Sequence, residues 1–208
     1  MQYIVNNNLE EQIMCIYQFW FEDFGLSNGI CPQSWKYEDF SSIADIASGK
    51  RPPVRSSMFC DETPFPLIGA ASVMGFTSKS NNNNRILVIG RVGTHGVVQR
   101  FNIPCWTSDN TLVITSPYYE FVNQVLHRID YAAMNRGSTQ PLITQGDLKK
   151  VNILVPDKDS LLKFEDFVKP LMNKWDTNNR EIIKLTALRD TLLPKLMSCE
   201  IDVSKISI

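Results

Sequence analysis

The sequence predicts an α+β protein: a mixed β-sheet domain carrying a long C-terminal helix of coiled-coil type and a shorter N-terminal helix. Three observations carry this. Apolar residues recur at helical spacing near the start, short apolar runs bounded by turn residues fill the middle, and a seam of alternating four- and three-residue steps closes the chain. With 208 residues there is chain enough for one core of ordinary size plus an appended helical element.

At the N-terminus Leu9, Ile13, Ile16, Trp20 and Phe24 stand three or four apart, the mark of an amphipathic helix, with Asn8 as the expected N-cap and Glu10 and Glu11 in the first turn. Residues 25–32 (GLSNGICP) break that pattern and read as a connector. Strand texture then runs over 35–156, clearest at 66–70, 86–90, 96–100 and 111–115, with the Asn tract 81–84 as a loop tip. One helix is embedded there, over 118–135, with Val122, Val125, Leu126, Ile129 and Ala133 on one face and Gly137 as its stop. Thr144 is placed to cap a short turn before a strand over 151–155.

The last segment sets Phe164, Val168, Leu171, Trp175, Ile182, Leu185, Leu192 and Leu196 on a single seam; Asn178 and Arg189 are its polar steps, the latter shared by Leu188. Pro170 is expected to kink or restart the helix. Over 171–193 the helix would run about 35 Å, too long for one end of a compact domain, so it needs a partner helix. The expected divisions are 1–30, 31–157 and 158–208.

Net charge is −1, but it is unevenly placed. Residues 1–48 hold seven acids against one base, Lys36, whereas 49–150 hold eleven bases against six acids. The excess is sharpest over 50–100, where Lys50, Arg51, Arg55, Lys79, Arg85, Arg91 and Arg100 face only Asp61 and Glu62. A basic stretch on a near-neutral chain suits polyanion contact as well as a solvated surface. No apolar run nears the roughly 20 residues of a membrane span, and MQYIVNNN lacks the basic and apolar regions of a secretory leader, so no membrane partner and a cytoplasmic protein are expected. Five cysteines at wide spacing, with no CxxC pair, suggest reduced thiols.

Catalytic constellations are incomplete. The two histidines, His95 and His127, form no metal-binding pair, and no metal or other cofactor is expected. Pro156-Asp157 has no downstream acid-x-Lys of the kind a magnesium-dependent nuclease needs. Ser116-Pro117-Tyr118-Tyr119 lacks the second proline of an adenine methyltransferase tetrapeptide, and the glycines at 90 and 93 suit a tight hairpin better than a phosphate cradle.

Three stretches resemble the specificity subunits of Type I restriction-modification systems. NREIIKLTALRDTLLPKLMSCEI at 179–201 is similar to the family's closing helix, with Cys199 where a Gly is usual. RGSTQPLITQGDLKKVNILVP at 136–156 resembles the end of a target recognition domain. NNNLEEQIMCIYQFWFEDF with Trp35 and DIASGKRPP at 45–53 resembles the tail of the central helix and the entry to the second such domain. The resemblance implies a half-length form with a single target recognition domain over 31–157, flanked by helical spacer pieces. It further implies a non-catalytic role: reading one half of a split double-stranded DNA target and docking methyltransferase (modification) subunits, and through them restriction subunits.

For DNA contact the candidates are Lys50, Arg51, Arg55, Lys79, Asn82, Asn83, Arg85, Arg91, Thr94, Arg100, Arg136, Ser138 and Gln140, since Arg and Lys neutralise phosphates and Arg, Asn and Gln read base edges. Arg91, Arg100, Arg85 and Lys79 are the leading electrostatic choices. Ser138 and Gln140 equally suit bracing the turn at Gly137. Leu171, Trp175, Ile182, Leu185, Leu188 and Leu192 are the candidate helix interface. They favour a twofold homodimer, or pairing with another specificity subunit, with a recognition domain at each end. The competing arrangement folds the N-terminal helix onto its own C-terminal helix. The rival function is an accessory interaction protein that docks through the coiled coil without reading DNA. The target bases are not legible.

Overall fold

The computed structural model describes residues 2–92, 96–134 and 142–198. In chain order its elements are α1 (Gln2–Tyr17), β1 (Lys36–Asp39), β2 (Asp45–Ser48), β3 (Phe65–Ile68), β4 (Val73–Thr77), β5 (Ile86–Gly90), β6 (Gln99–Phe101), β7 (Trp106–Thr107), β8 (Thr111–Thr115), α2 (Tyr119–Arg128), α3 (Gln145–Lys149), β9 (Asn152–Val155) and α4 (Lys158–Met197). The fold is α+β with a mixed sheet component, as the sequence predicts. It divides into two compact units, Asp23–Glu165 and Met1–Glu22 with Asp166–Ile208. Among the described residues no helix is long and apolar enough to cross a membrane.

The larger unit is built on a four-stranded antiparallel sheet in the order β2-β8-β5-β6. Strand β5 (ILVIG) is buried along its whole length, and the register Leu87↔Ile114, Val88↔Val113 and Ile89↔Leu112 puts apolar pairs on both faces. On one face Ile86, Val88 and Val113 pack with Ile68, Cys105 and Phe101. Burial in that cluster lifts the Cys105 thiol to about 11, which keeps it an inert apolar filler. A three-stranded sheet in the order β4-β3-β7 combines an antiparallel and a parallel pairing, and β1 pairs antiparallel with β9.

Helix α2 lies against β5, its residues Tyr119–Leu126 all buried. It stops at Arg128 rather than running to 135, because the Asp130 carboxylate accepts the N–H groups of Ala132 and Ala133 and gives the backbone a turn in place of another helical turn. The expected stop at Gly137 lies outside the described residues. Thr144 caps α3 as predicted, in a reciprocal box with Asp147. Asp157, considered above for nuclease chemistry, is instead the cap of α4: it accepts Ser160 N–H at 3.0 Å and Trp35 Nε1–H at 2.9 Å. Those hydrogen bonds, that of Ser160 first, hold its carboxyl below the usual range. Strand β5 ends at Gly90 and pairs antiparallel with β6, which begins at Gln99; Gly93, the second glycine of the expected hairpin, lies outside the described residues.

In the smaller unit α1 begins at Gln2, and Asn8 lies inside it, accepting a bond from Gln12 one turn on. The expected cap fails because a buried partner outweighs the poor helix propensity of the Asn tract. Asn6 is buried, donating to the Trp175 carbonyl at 3.4 Å and accepting from Asn178 Nδ2 at 2.9 Å. Leu9, Ile13, Tyr17 and Phe21 continue the buried stripe. Three successive four-residue steps outrun a 3.6-residue turn, and the wider π-helical turn over Gln18–Glu22 takes up the excess. Together with the Trp20–Phe167 ring contact at 5.6 Å, the Asn6 bonds set α1 antiparallel to α4. Helix α4 has 40 residues, about 60 Å at 1.5 Å per residue. It passes through Pro170 instead of restarting there: Pro170 is exposed, so the carbonyl it leaves unpaired faces solvent, while Val168 and Met172 remain buried.

Candidate nucleic-acid interface

Three of the predicted cations sit on one fastened segment. The chain leaves β2 at Gly49, where an added Cβ would lie 2.0 Å from the Ser108 carbonyl oxygen, so only glycine lets the backbone pass. Lys50 N–H then bonds the Thr107 carbonyl at 2.9 Å, and the Lys50 carbonyl accepts Trp106 Nε1–H at 2.7 Å. Further on, Thr77 Oγ1 donates to the Val54 carbonyl at 2.6 Å, and Ser56 and Phe76 exchange two backbone bonds of 2.9 Å. Residues 49–56 are thus sewn to β4 and to the 106–108 segment, and Lys50, Arg51 and Arg55 stand exposed along them. Lys79, just beyond β4, is exposed as well.

The Asn tract divides. Asn81 and Asn82 turn inward: Asn81 Oδ1 accepts Thr107 N–H at 2.9 Å, and Asn82 Nδ2 donates to Thr107 Oγ1 at 2.9 Å, so the two amides tie the tract to β7. Asn83 and Asn84 are exposed, Asn83 accepting from Ser80 Oγ at 2.7 Å. The tract is therefore half brace and half loop surface.

Arg85 and Arg100, two of the leading electrostatic choices, belong to a different cluster. Both guanidiniums reach Glu120 Oε1 at the start of α2, Arg100 at 2.8 Å. The Glu120 side chain is 2% exposed, that of Arg100 11% and that of Arg85 40%. Both also lie over the Tyr119 ring, at 3.8 Å and 5.2 Å from its centroid. Glu165 accepts Phe121 N–H at 2.9 Å beside them. Burial pushes the Glu165 carboxyl up to about 7, helped by the Glu120 charge and opposed by the α2 backbone N–H groups and Arg85. Sequence reading missed Glu120 as the organiser; its one signal was a lone acid opening an otherwise apolar helix pattern.

Arg91 is half-buried, its backbone bonding the Asn110 carbonyl and accepting from Ile143 N–H, and its Nε has no hydrogen-bond partner among the described residues. Thr94, Arg136, Ser138 and Gln140 lie outside the described residues. Among those described, no three His, Cys, Asp or Glu side chains converge as a metal site would require.

Of the candidate interface residues, Ile182 is buried and Leu171 and Trp175 are half-buried, whereas Leu185, Leu188 and Leu192 are exposed, together with Leu193 and Leu196. The reason is reach. Asn6 of α1 lies opposite Asn178, so the first residues of α1 are spent near Ile182 and, among the described residues, no helix lies beside the rest of the α4 stripe.

Comparison with known proteins agrees with this architecture. A family profile described as the Type I restriction modification DNA specificity domain matches residues 32–187. The Type I restriction enzyme MjaIX specificity subunit of Methanocaldococcus jannaschii is 24% identical over 240 residues, spanning 97% of this chain and 55% of that protein. The HindI specificity subunit of Haemophilus influenzae is 22% identical over 194 residues, spanning 82% of this chain and 42% of that one. The crystal structure of a Type I restriction-modification system S subunit from M. genitalium superposes with a TM-score of 0.64 at 18% identity, over 94% of this chain and 54% of that chain. The HsdS subunit from Thermoanaerobacter tengcongensis superposes at 0.53 with 16% identity. The chain spans about half the length of the curated relatives it matches.

Proposed function

From the premise that this chain belongs to the Type I restriction modification DNA specificity family, we propose that it is a non-catalytic DNA-reading subunit: its Asp23–Glu165 unit binds one half of a split duplex target. The observation that carries this reading is the exposed row of Lys50, Arg51 and Arg55 on backbone that is bonded down, which fixes where these side chains emerge, with Lys79 exposed beyond β4. Preorganised cations suit phosphate positioning, which fixes register before base edges are read. Arg85 and Arg100 contribute less, because Glu120 already neutralises part of their charge.

The helical unit supplies the rest of the role. The bare leucine stripe from Leu185 to Leu196 suits a second copy of the chain, or another specificity subunit, laid antiparallel. Such a pair would offer two recognition domains and a docking surface for methyltransferase subunits, and through them restriction subunits. The accessory reading, docking without DNA recognition, draws on the same stripe but leaves the cation row without a purpose.

Duplex binding against salt tests the proposal. Log affinity should fall linearly with log salt, by about 0.9 per phosphate contacted, and the Arg51→Ala with Arg55→Ala variant should flatten that slope by up to about two such units. Wild-type affinity independent of salt overturns the DNA reading and leaves the accessory one. Cleavage or methylation of DNA by the chain alone with magnesium, and with a methyl donor for the second, overturns the non-catalytic one.

A further inference from the structure

The fastened segment does not end at its cations. Just past Arg55 it presents Met58 and Phe59, which are 71% and 63% exposed, with Val54 exposed just before Arg55. A mobile loop can show apolar side chains at little cost, since it buries them part of the time. This loop is held. Ser56 Oγ donates to the Met58 carbonyl at 2.7 Å and accepts Met58 N–H at 3.1 Å, Thr63 N–H bonds the Cys60 carbonyl at 3.0 Å, and the Phe59 ring stands edge-on against Phe76 at 5.7 Å. Gly75 permits the arrangement: its φ is +143° and an added Cβ would sit 2.4 Å from the Ser56 carbonyl oxygen. Two large apolar side chains are thus kept in water at defined positions.

The surrounding charge indicates what covers them. Lys50, Arg51 and Arg55 precede the pair on the same segment and Lys79 follows β4, against the exposed Asp61 and Glu62 at the tip of the turn that follows Phe59. Cations flanking apolar side chains match a duplex groove, where phosphates line the rim and the apolar groups on offer at the floor are thymine 5-methyls. We propose that residues 54–59 form a base-reading element in which Phe59 and Met58 pack on thymine 5-methyl groups in the major groove while Arg51 and Arg55 hold the adjoining phosphates. This inference rests on the duplex-binding reading above, and it assigns to that surface a specificity determinant distinct from its charged and amide side chains. Asn81 and Asn82 are engaged within the fold, so the tract offers only Asn83 and Asn84 as exposed amides, and apolar contact adds a second means of discrimination beside them.

Thymine and uracil differ at that position by the methyl alone, so the test is direct. Duplexes are selected from a randomised pool with the full chain, and each thymine of the selected site is then replaced singly by deoxyuridine. At one or more positions the replacement should weaken wild-type binding about fourfold, the transfer free energy of one methyl. Phe59→Ala or Met58→Ala should weaken binding to the thymine duplex by at least as much, bind the uracil duplex at that position no worse than the thymine one, and leave the salt slope unchanged. Phe59→Leu, which keeps an apolar contact, should retain the methyl preference and guards against a folding artefact. Selection that enriches a site at which no thymine-to-uracil change matters overturns this inference while leaving DNA reading intact. So does a methyl preference carried undiminished by both alanine variants; that result would return the exposed pair to a protein partner. Failure to enrich any duplex overturns the DNA reading, and this inference with it.

Discussion

Replacing Arg100 by Met removes a charge whose loss the fold should register far more than DNA binding does. The Glu120 carboxylate is almost fully buried: Oε1 takes both Arg85 and Arg100, while Oε2 is buried with no hydrogen-bond partner among the described residues. Removing one partner of a buried ion pair costs about 3–5 kcal/mol when the other charge is left uncompensated. Here Arg85 remains, but it is the more exposed of the two guanidiniums and its attraction is screened by solvent. The lower end, about 3 kcal/mol, is therefore expected for Arg100→Met. Arg85→Met should cost less, about 1 kcal/mol, because the nearer-buried Arg100 then keeps the carboxylate paired. Glu120→Gln should recover part of the Arg100→Met loss in the double variant, since no bare carboxylate remains. Denaturant unfolding of wild type, Arg100→Met, Glu120→Gln and the double variant measures the cycle, and duplex titration below the transition reports binding separately. Destabilisation under about 1 kcal/mol in Arg100→Met, or a strictly additive double variant, would refute the view that Glu120 organises these arginines.

Glu165 should make stability fall with rising pH: its carboxyl titrates near 7 when folded against an ordinary 4.5, so the folded chain holds a proton that the unfolded chain releases between those values. The contribution is fully present below the lower value and lost through the upper one, and Glu165→Gln should remove that part of the slope in unfolding midpoints compared at about pH 5.5 and about pH 8. Asn178→Leu should destabilise the helical unit by about 1–3 kcal/mol by stranding the buried Asn6 amide, whereas the Asn6→Leu with Asn178→Leu pair should recover most of it in thermal unfolding. Light scattering at micromolar concentration should give twice the 23.7 kDa chain mass, reverting to one chain in Leu185→Glu with Leu188→Glu; a wild-type mass of one chain would end the proposed pairing of copies.

Much of the fold was legible because it follows local periodicity. The runs ILVIG and TLVIT could hardly be other than buried strands, and they are β5 and β8 to the residue. Thr144 announced a capped turn, and the structure supplies Asp147 as its reciprocal partner. The closing seam was also visible, down to Asn178 as its polar step. Boundaries were less so. The start of α1 depends on a bond between residues 6 and 178, and the end of α2 on one aspartate side chain competing for the next backbone N–H groups.

The candidate surface was legible only as a charge excess. Sequence alone determined that bases gather over 50–100 and that leucines line the last helix, because composition and period are properties of the chain itself. Tertiary structure decided which of these residues are left over for a partner. Glu120, far along the chain, occupies Arg85 and Arg100, while Lys50, Arg51, Arg55 and Lys79 stay exposed; α1 covers α4 as far as Ile182 and leaves Leu185, Leu188 and Leu192 bare. Availability is a difference between what a side chain offers and what the rest of the fold already takes. Contacts between residues distant in sequence set that difference, and local pattern carries no record of them.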